Sequence, residues 1–185
     1  MIADGINKFM EDLLKKGIPA EAGVKSIADI IAEGENNKVE FKSSLRWDRK
    51  LSQVNKLLEV VVTKIITGFL NTDGGTLLIG VDDSKQIVGI EDDYRTLQKP
   101  DRDGYELHLT QLFSSYIGKE RCLNTSISFH ELDGKDICMV QVEPSLKPAY
   151  VKEGQESKFY IRTGNQTQPL GIKESIEYIQ EHWPA

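Results

Sequence analysis

The stretch Gly68-Phe69-Leu70-Asn71-Thr72-Asp73-Gly74-Gly75-Thr76-Leu77-Leu78-Ile79-Gly80-Val81-Asp82-Asp83 passes from the end of a helix through a turn into a buried strand, and that succession decides the fold. Thr76 to Val81 is an uninterrupted apolar run of the kind that is covered on both faces. Asn71 to Gly75, with its two glycines, is turn chemistry. Upstream, Val54, Leu57, Leu58, Val61, Val62, Ile65, Ile66, Phe69 and Leu70 recur at helical spacing from about Leu51 to Leu70. Only Lys56, Glu59, Thr63 and Thr67 form a narrow polar face, so the pattern predicts a largely buried helix. A buried helix leading into a doubly covered strand is the signature of an α/β domain.

Working outward, Asp82-Asp83-Ser84-Lys85 turns the strand back into Ile87-Val88-Gly89-Ile90. A helix is expected over about 104–118, from Leu107, Leu109, Leu112, Phe113, Tyr116 and Ile117. Strands near 125–131 and 136–143 are joined at Asp133-Gly134, a hairpin dipeptide. A strand pair is expected at Ala149–Val151 and Lys158–Arg162, and a last helix at Lys173–His182. Before the central helix, Lys38-Val39-Glu40-Phe41-Lys42-Ser43 alternates as a strand, with Glu40 and Lys42 on one side and Val39 and Phe41 on the other. Residues 4–33 read as two helical segments broken at Gly17-Ile18-Pro19, the second over about Glu21–Ala32 and closed by Gly34. The division expected is a helical N-terminal segment, 1–33, and one mixed α/β domain, 34–185.

At 185 residues the chain is long enough to bury about 70% of its unfolded surface without staples. No apolar run approaches the roughly 18 residues of a membrane span. The acids within MIADGINKFMEDLLKK argue against a signal peptide. Two isolated cysteines, Cys122 and Cys138, exclude a disulfide scaffold and a four-cysteine zinc site, so a cytoplasmic chain is expected. The net charge of −6 counts against coating of nucleic acid by bulk charge. It leaves room for a local basic strip: from Lys38 to Lys64 seven cations face three acids, an excess of +4.

Glu35-x4-Glu40-x-Lys42 could place carboxylates for a divalent ion beside an ammonium for a phosphate, the requirement of phosphodiester cleavage. The same residues also read as a solvent-facing charge pair. Asp82-Asp83 reads equally as a metal-ligand position at a strand end or as turn chemistry. Arg46, Trp47, Arg49 and Lys50 lie in a polar link, where an aromatic among cations can stack on an unpaired base. Trp47 reads as well as a core anchor, and Arg162 either holds phosphate or braces the loop at Gly164.

The segment Glu35-Asn-Asn-Lys-Val-Glu40-Phe-Lys42, the Gly68–Asp83 stretch, and Ile87-Val88-Gly89-Ile90 together resemble the Schlafen-type, Alba-like nucleic-acid-binding domain. So do Pro148-Ala149-Tyr150, Phe159-Tyr160-Ile161-Arg162-Thr163-Gly164-Asn165 and Tyr178-Ile179-x3-Trp183, and the likeness spans about 34–183. The resemblance implies a Schlafen-core-like lobe, a mixed sheet packed by helices. It implies a metal site at Glu35, Glu40 and Asp83 for Mg²⁺ or Mn²⁺, with Lys42 completing the catalytic set. The nucleic-acid-binding set expected is Lys42, Arg46, Trp47, Arg49, Lys50 and Arg162.

The function that the resemblance implies is a divalent-metal-dependent endoribonuclease acting on tRNA, rRNA or other structured RNA, with a place in antiphage defence. The alternatives are a non-catalytic DNA- or RNA-binding module and a protein-assembly domain with a structural acidic cluster. Two-lobed Schlafen cores carry a zinc site, and here Cys122, Cys138, His108, His130 and His182 lack ligand spacing, so no zinc is expected. No G-x4-G-K-[ST] occurs, so no nucleotide motif is expected. A one-lobe chain suggests a homodimer, with Ile172, Ile176, Ile179 and Trp183 as its candidate face.

Overall fold

The computed structural model describes residues 25–184. The helix expected over residues 4–17 lies outside the described residues. The elements run α1 (Ile27–Glu33), β1 (Val39–Lys42), β2 (Trp47–Asp48), β3 (Gln53–Val54), α2 (Lys56–Leu70) and β4 (Gly75–Ile79). Then come α3 (Glu91–Tyr94), α4 (Arg102–Tyr116), a 3-10 turn (Lys119–Asn124), β5 (Thr125–Leu132) and β6 (Lys135–Val142). The chain closes with β7 (Val151–Glu153), β8 (Glu156–Lys158), β9 (Tyr160–Thr163), β10 (Gln166–Pro169) and α5 (Ile172–His182). No helix among the described residues is long and apolar enough to cross a membrane.

The main sheet has the order β1-β4-β6-β5, with β1 parallel to β4 and the other pairs antiparallel. It is a mixed sheet packed by helices on both faces. Leu77 and Ile79 of β4 join Cys138 and Val140 of β6 in a core beneath α2 and α4. Leu78 points the other way, with Phe41 and Ile137, into a second core capped by Ile27 and Ile31 of α1. Both faces of β4 are therefore dry, as its unbroken apolar run requires. The Asp133-Gly134 hairpin forms with φ of 52° and 71°, the positive values a tight primed turn needs.

The expected hairpin after β4 reduces to a single bridge between Val81 and Ile87. Beyond β6, two short hairpins, β7–β8 and β9–β10, replace the single strand pair expected there. Of the helix expected over about Glu21–Ala32, residues 21–24 lie outside the described residues; α1 starts at the Ser26–Asp29 capping box and ends at Gly34.

Asn71-Thr-Asp-Gly-Gly closes the fold for identifiable reasons. Buried Asn71 donates from Nδ2 to the carbonyls of Ala149 and Tyr160 (both 2.8 Å) and accepts from Ala149 N, tying the C-terminal hairpins to the end of α2. Gly74 holds φ +72°, and a Cβ there would meet Val142 O at 2.4 Å. At Gly75 a Cβ would strike the Phe69 ring at 2.4 Å.

Helix α2 departs from its sequence reading in two ways. It begins at Lys56, because Asn55 caps it and Asp48 Oδ1 accepts from Lys50 N and Leu51 N to turn residues 47–54 into the β2–β3 hairpin. Its expected polar face is turned inward: Glu59, Thr63 and Thr67 are buried, while Leu57 is 72% and Val61 39% exposed. The threonines can enter the core because each hydroxyl bonds its own helix, Thr63 to Val60 O and Thr67 to Thr63 O.

Candidate nucleic-acid interface

Glu40 and Lys42 project from β1 toward α2, on the same side as their β4 partners Leu77 and Ile79. Glu40 is buried, and its two oxygens are both engaged. Oε1 meets Lys42 Nζ at 2.5 Å and Oε2 meets Arg162 Nη1 at 2.7 Å. Exposed Glu35 folds back on the same strand, accepting from Phe41 N at 2.8 Å. Asp82 shapes the turn after β4 by accepting from Ser84 N and Gln86 N, and Asp83 stands exposed on that turn. Lys85 donates to Ala32 O, bringing this turn against the segment that leads to Glu35.

A divalent ion needs carboxylate oxygens that converge and are free to bind it. Among the described residues no group of three or more His, Cys, Asp or Glu side chains is arranged to hold a metal ion. Glu35, Glu40 and Asp83 lie on adjoining segments, yet with Glu40 saturated by two cations the trio does not fit a metal in this arrangement.

Arg162 has a side chain only 2% exposed. Its Nη groups serve Glu40, Asn36 O and Val39 O, and its guanidinium lies 4.9 Å from the Phe69 ring centroid. These contacts tie β9 to β1 and do not involve the loop at Gly164. Arg49 is similarly spent, on Asp92 and on the carbonyls of Ser43, Val88 and Gly89. Arg46 is 12% exposed and lies beside Glu59. Trp47 is half-buried in the β2–β3 hairpin, outside both apolar cores. Lys50 is exposed at the hairpin tip.

The residue that shapes this link is one that sequence reasoning missed. Fully buried Asp93 accepts at Oδ1 from Ser44 Oγ, Arg46 N and Trp47 N, and at Oδ2 from Leu45 N. One carboxylate thereby cages four consecutive residues and fixes how the hairpin leaves β1. Its only sequence signal is an acid within an acidic run, and that signal does not distinguish it from its neighbours.

What the hairpin and α2 present outward is apolar with a basic rim. Leu51, Val54, Leu57 and Val61 are all exposed. Lys50 and Lys56 flank them and are exposed as well. Further along α2, Val61, Lys64 and Ile65 line a groove of about 360 Å³ with Glu40, Lys42 and the Asn165-Gln166-Thr167 turn. Burial works to lower the Lys64 pKa, but hydrogen bonds to Tyr160 and Glu153 outweigh it and hold the ammonium above the ordinary lysine value. Lys64 is therefore cationic throughout the physiological range. Lys56 and Lys64 were legible only as members of the +4 segment, not as site residues.

The face suggested for a homodimer is divided. Ile172 and Ile176 are exposed, but Trp183 donates to Ser145 O and packs edge-on against Phe159, within its own domain.

Residues 35–171 match the family described as Schlafen, AlbA_2. Among solved structures, the chain resembles the DIP2311 protein from Corynebacterium diphtheriae, at TM-score 0.55 and 20% identity, over 80% of this chain and 24% of that one. It also resembles the N-terminal domain of a RecG-related protein from Nitrosomonas europaea, at TM-score 0.49 and 22% identity, over 80% and 95% of the two chains. The chain thus spans about a quarter of the Corynebacterium protein, and at these identities the likeness concerns the fold alone.

Proposed function

The chain belongs to the Schlafen, AlbA_2 family, and from that premise we propose that it is a nucleic-acid-binding domain. Its contact surface is the β2–β3 hairpin, the outer face of α2 and the groove leading to Lys42. The observation that carries this reading is the exposure of Leu51, Val54, Leu57 and Val61 together with Lys50 and Lys56 along one hairpin-to-helix segment. Cations hold phosphates and apolar groups meet unstacked bases, so the surface suits single-stranded or looped RNA better than a regular duplex. The net charge of −6 elsewhere confines the attraction to this strip.

The test is fluorescence anisotropy with a single-stranded RNA dodecamer, its hairpin-looped counterpart and a blunt duplex. Binding of the first two and its loss in Leu57→Asp support the proposal. Equal binding by wild type and a folded Leu57→Asp protein would place nucleic acid elsewhere.

Cleavage with Mg²⁺ or Mn²⁺ is the second reading. It is favoured by the return of Glu35 onto Phe41 N and by the Lys85 tie, which bring the three acid-bearing segments together. It requires Lys42 to release Glu40, since the acids as arranged do not form a metal site. Incubating tRNA with the protein and Mn²⁺, with a chelator control and Glu40→Gln, separates the two readings. Chelator-sensitive cleavage lost in Glu40→Gln would establish the nuclease; intact tRNA leaves the binding module.

A further inference from the structure

Arg46 differs from the other buried arginines of this fold. Arg162 and Arg49 spend their guanidinium donors on carboxylates and carbonyls. The Nε of Arg46, like that of Arg162, is buried without an aligned hydrogen bond, and it lies 3.1 Å from Glu59 Oε1; the difference is in the Nη groups. Neither Nη group meets an acceptor among the described residues. Its Nε alone is buried; the two Nη groups are open to solvent, so a ligand can take them without displacing a protein acceptor.

Three elements converge on it. Glu59 of α2, 7% exposed, also accepts from His108 Nε2 of α4 at 2.7 Å. Arg46, His108 and the loop after α3 border a cavity of about 320 Å³, with Glu59 behind its wall and not in its lining. Besides Arg46 and His108, it is lined by Thr96, Gln98, Lys99 and Gln111, with Leu97 and Leu107 as apolar walls. That volume is at the lower end for ligand sites. Glu59 holds the imidazole by Nε2, which leaves Nδ1 as its remaining polar atom. Lys99 at the rim is balanced by Asp103 at 2.7 Å and Asp101 at 3.5 Å, and Glu59 offsets the Arg46 charge from its Nε side, so an anion is held here by the unspent Arg46 Nη donors and not by a net positive field.

We propose that this cavity is a phosphate-recognition site, separate from the Glu40 groove, that takes the terminal phosphate of a nucleic-acid chain on the Arg46 fork. A phosphate matches the paired geometry of a guanidinium edge, which a water shell satisfies less well. Gln98, Gln111 and Thr96 supply neutral donors around it. The choice of a chain end over a free nucleotide rests on the nucleic-acid reading above; the phosphate site itself does not.

Three probes are compared: inorganic phosphate, a 5′-phosphorylated RNA tetramer and the same tetramer with a 5′-hydroxyl. Calorimetry gives the affinities, and ¹⁵N chemical shifts of His108 report occupancy. The phosphorylated tetramer is expected to bind at least tenfold more tightly than its hydroxyl counterpart, with movement of the His108 Nδ1 signal. Arg46→Gln should erase that preference. Because Arg46→Gln could disturb the Glu59 contact, Gln111→Glu provides a second variant: it places a carboxylate at the cavity from an exposed position and should also abolish the preference. Equal binding of the two tetramers together with no His108 shift in phosphate would overturn the proposal, as would an unchanged preference in folded Gln111→Glu. If phosphate moves His108 while neither tetramer binds, the cavity stands and the nucleic-acid reading fails.

Discussion

Replacing Arg162 by methionine is the sharpest test of whether this arginine holds the protein or the nucleic acid. The side chain is 2% exposed and connects β9 to Glu40, Asn36 O and Val39 O across the sheet edge. Methionine keeps much of the packing on Phe69 but leaves Glu40 with one cation, Lys42, and strands two carbonyls. Breaking a buried pair by removing one partner costs about 3–5 kcal/mol. For a chain of this length that corresponds to a fall in Tm on the order of 10 °C. Adding Glu40→Met removes the stranded carboxylate, and swapping a whole buried pair for apolar residues is often close to neutral, so the double variant should regain about 2 kcal/mol. Urea denaturation with matched m-values measures all three proteins. An Arg162→Met protein that unfolds like wild type but has lost RNA affinity would refute the brace.

Three further outcomes follow from the same geometry. Asp136 receives Arg102 and the Tyr94 hydroxyl, and the Arg102 hydrogen bond leads in drawing its pKa below the ordinary 3.8. A depressed carboxylate stabilises the fold above its unfolded value and loses that contribution as pH falls through the lower folded value. Asp136→Asn should therefore cost about 2 kcal/mol at pH 7 and narrow its deficit below pH ~4, read from denaturation midpoints across pH; a constant deficit would contradict it. Asn71→Ala strands two carbonyls and an amide, costing about 3 kcal/mol and exposing the β7–β10 region to limited proteolysis; wild-type protection would refute that role. Leu57→Ser, on a 72% exposed side chain, should leave stability within about 0.5 kcal/mol while weakening RNA binding, and a large stability loss would show that this face is covered.

The sequence disclosed those parts of the fold in which local chemistry and tertiary need agree. Thr76–Val81 is apolar throughout because both faces of β4 are covered, and Asp133-Gly134 forms the turn its dipeptide favours. It misled where two local signals competed. Leu51 and Val54 continue the helical spacing of α2, but Asp48 and Asn55 claim the same backbone for a hairpin and a cap. The inner face of α2 reads as an outward one because threonines and a glutamate count as polar, although each finds its bond within the fold. The site was legible as residue types and order, not as availability. Arg46, Arg49 and Arg162 look alike in sequence, and only packing shows that Arg49 and Arg162 spend their Nη groups within the fold while those of Arg46 have no acceptor among the described residues. Glu35, Glu40 and Asp83 follow one another as the resemblance requires, but sequence order carries no information on which cations already occupy Glu40.

The salt dependence of RNA binding tests the central claim most directly. Each phosphate contact contributes about 0.7–0.9 to the slope of log affinity against log salt. Lys50→Ala/Lys56→Ala should lower the magnitude of the wild-type slope by about 1.4–1.8, with the melting temperature unchanged, because both side chains are exposed. Arg49→Lys, at a residue already spent inside the fold, should leave the slope as it is. A slope unchanged by loss of Lys50 and Lys56 would contradict the assignment of the hairpin and α2 surface as the place where this domain meets nucleic acid.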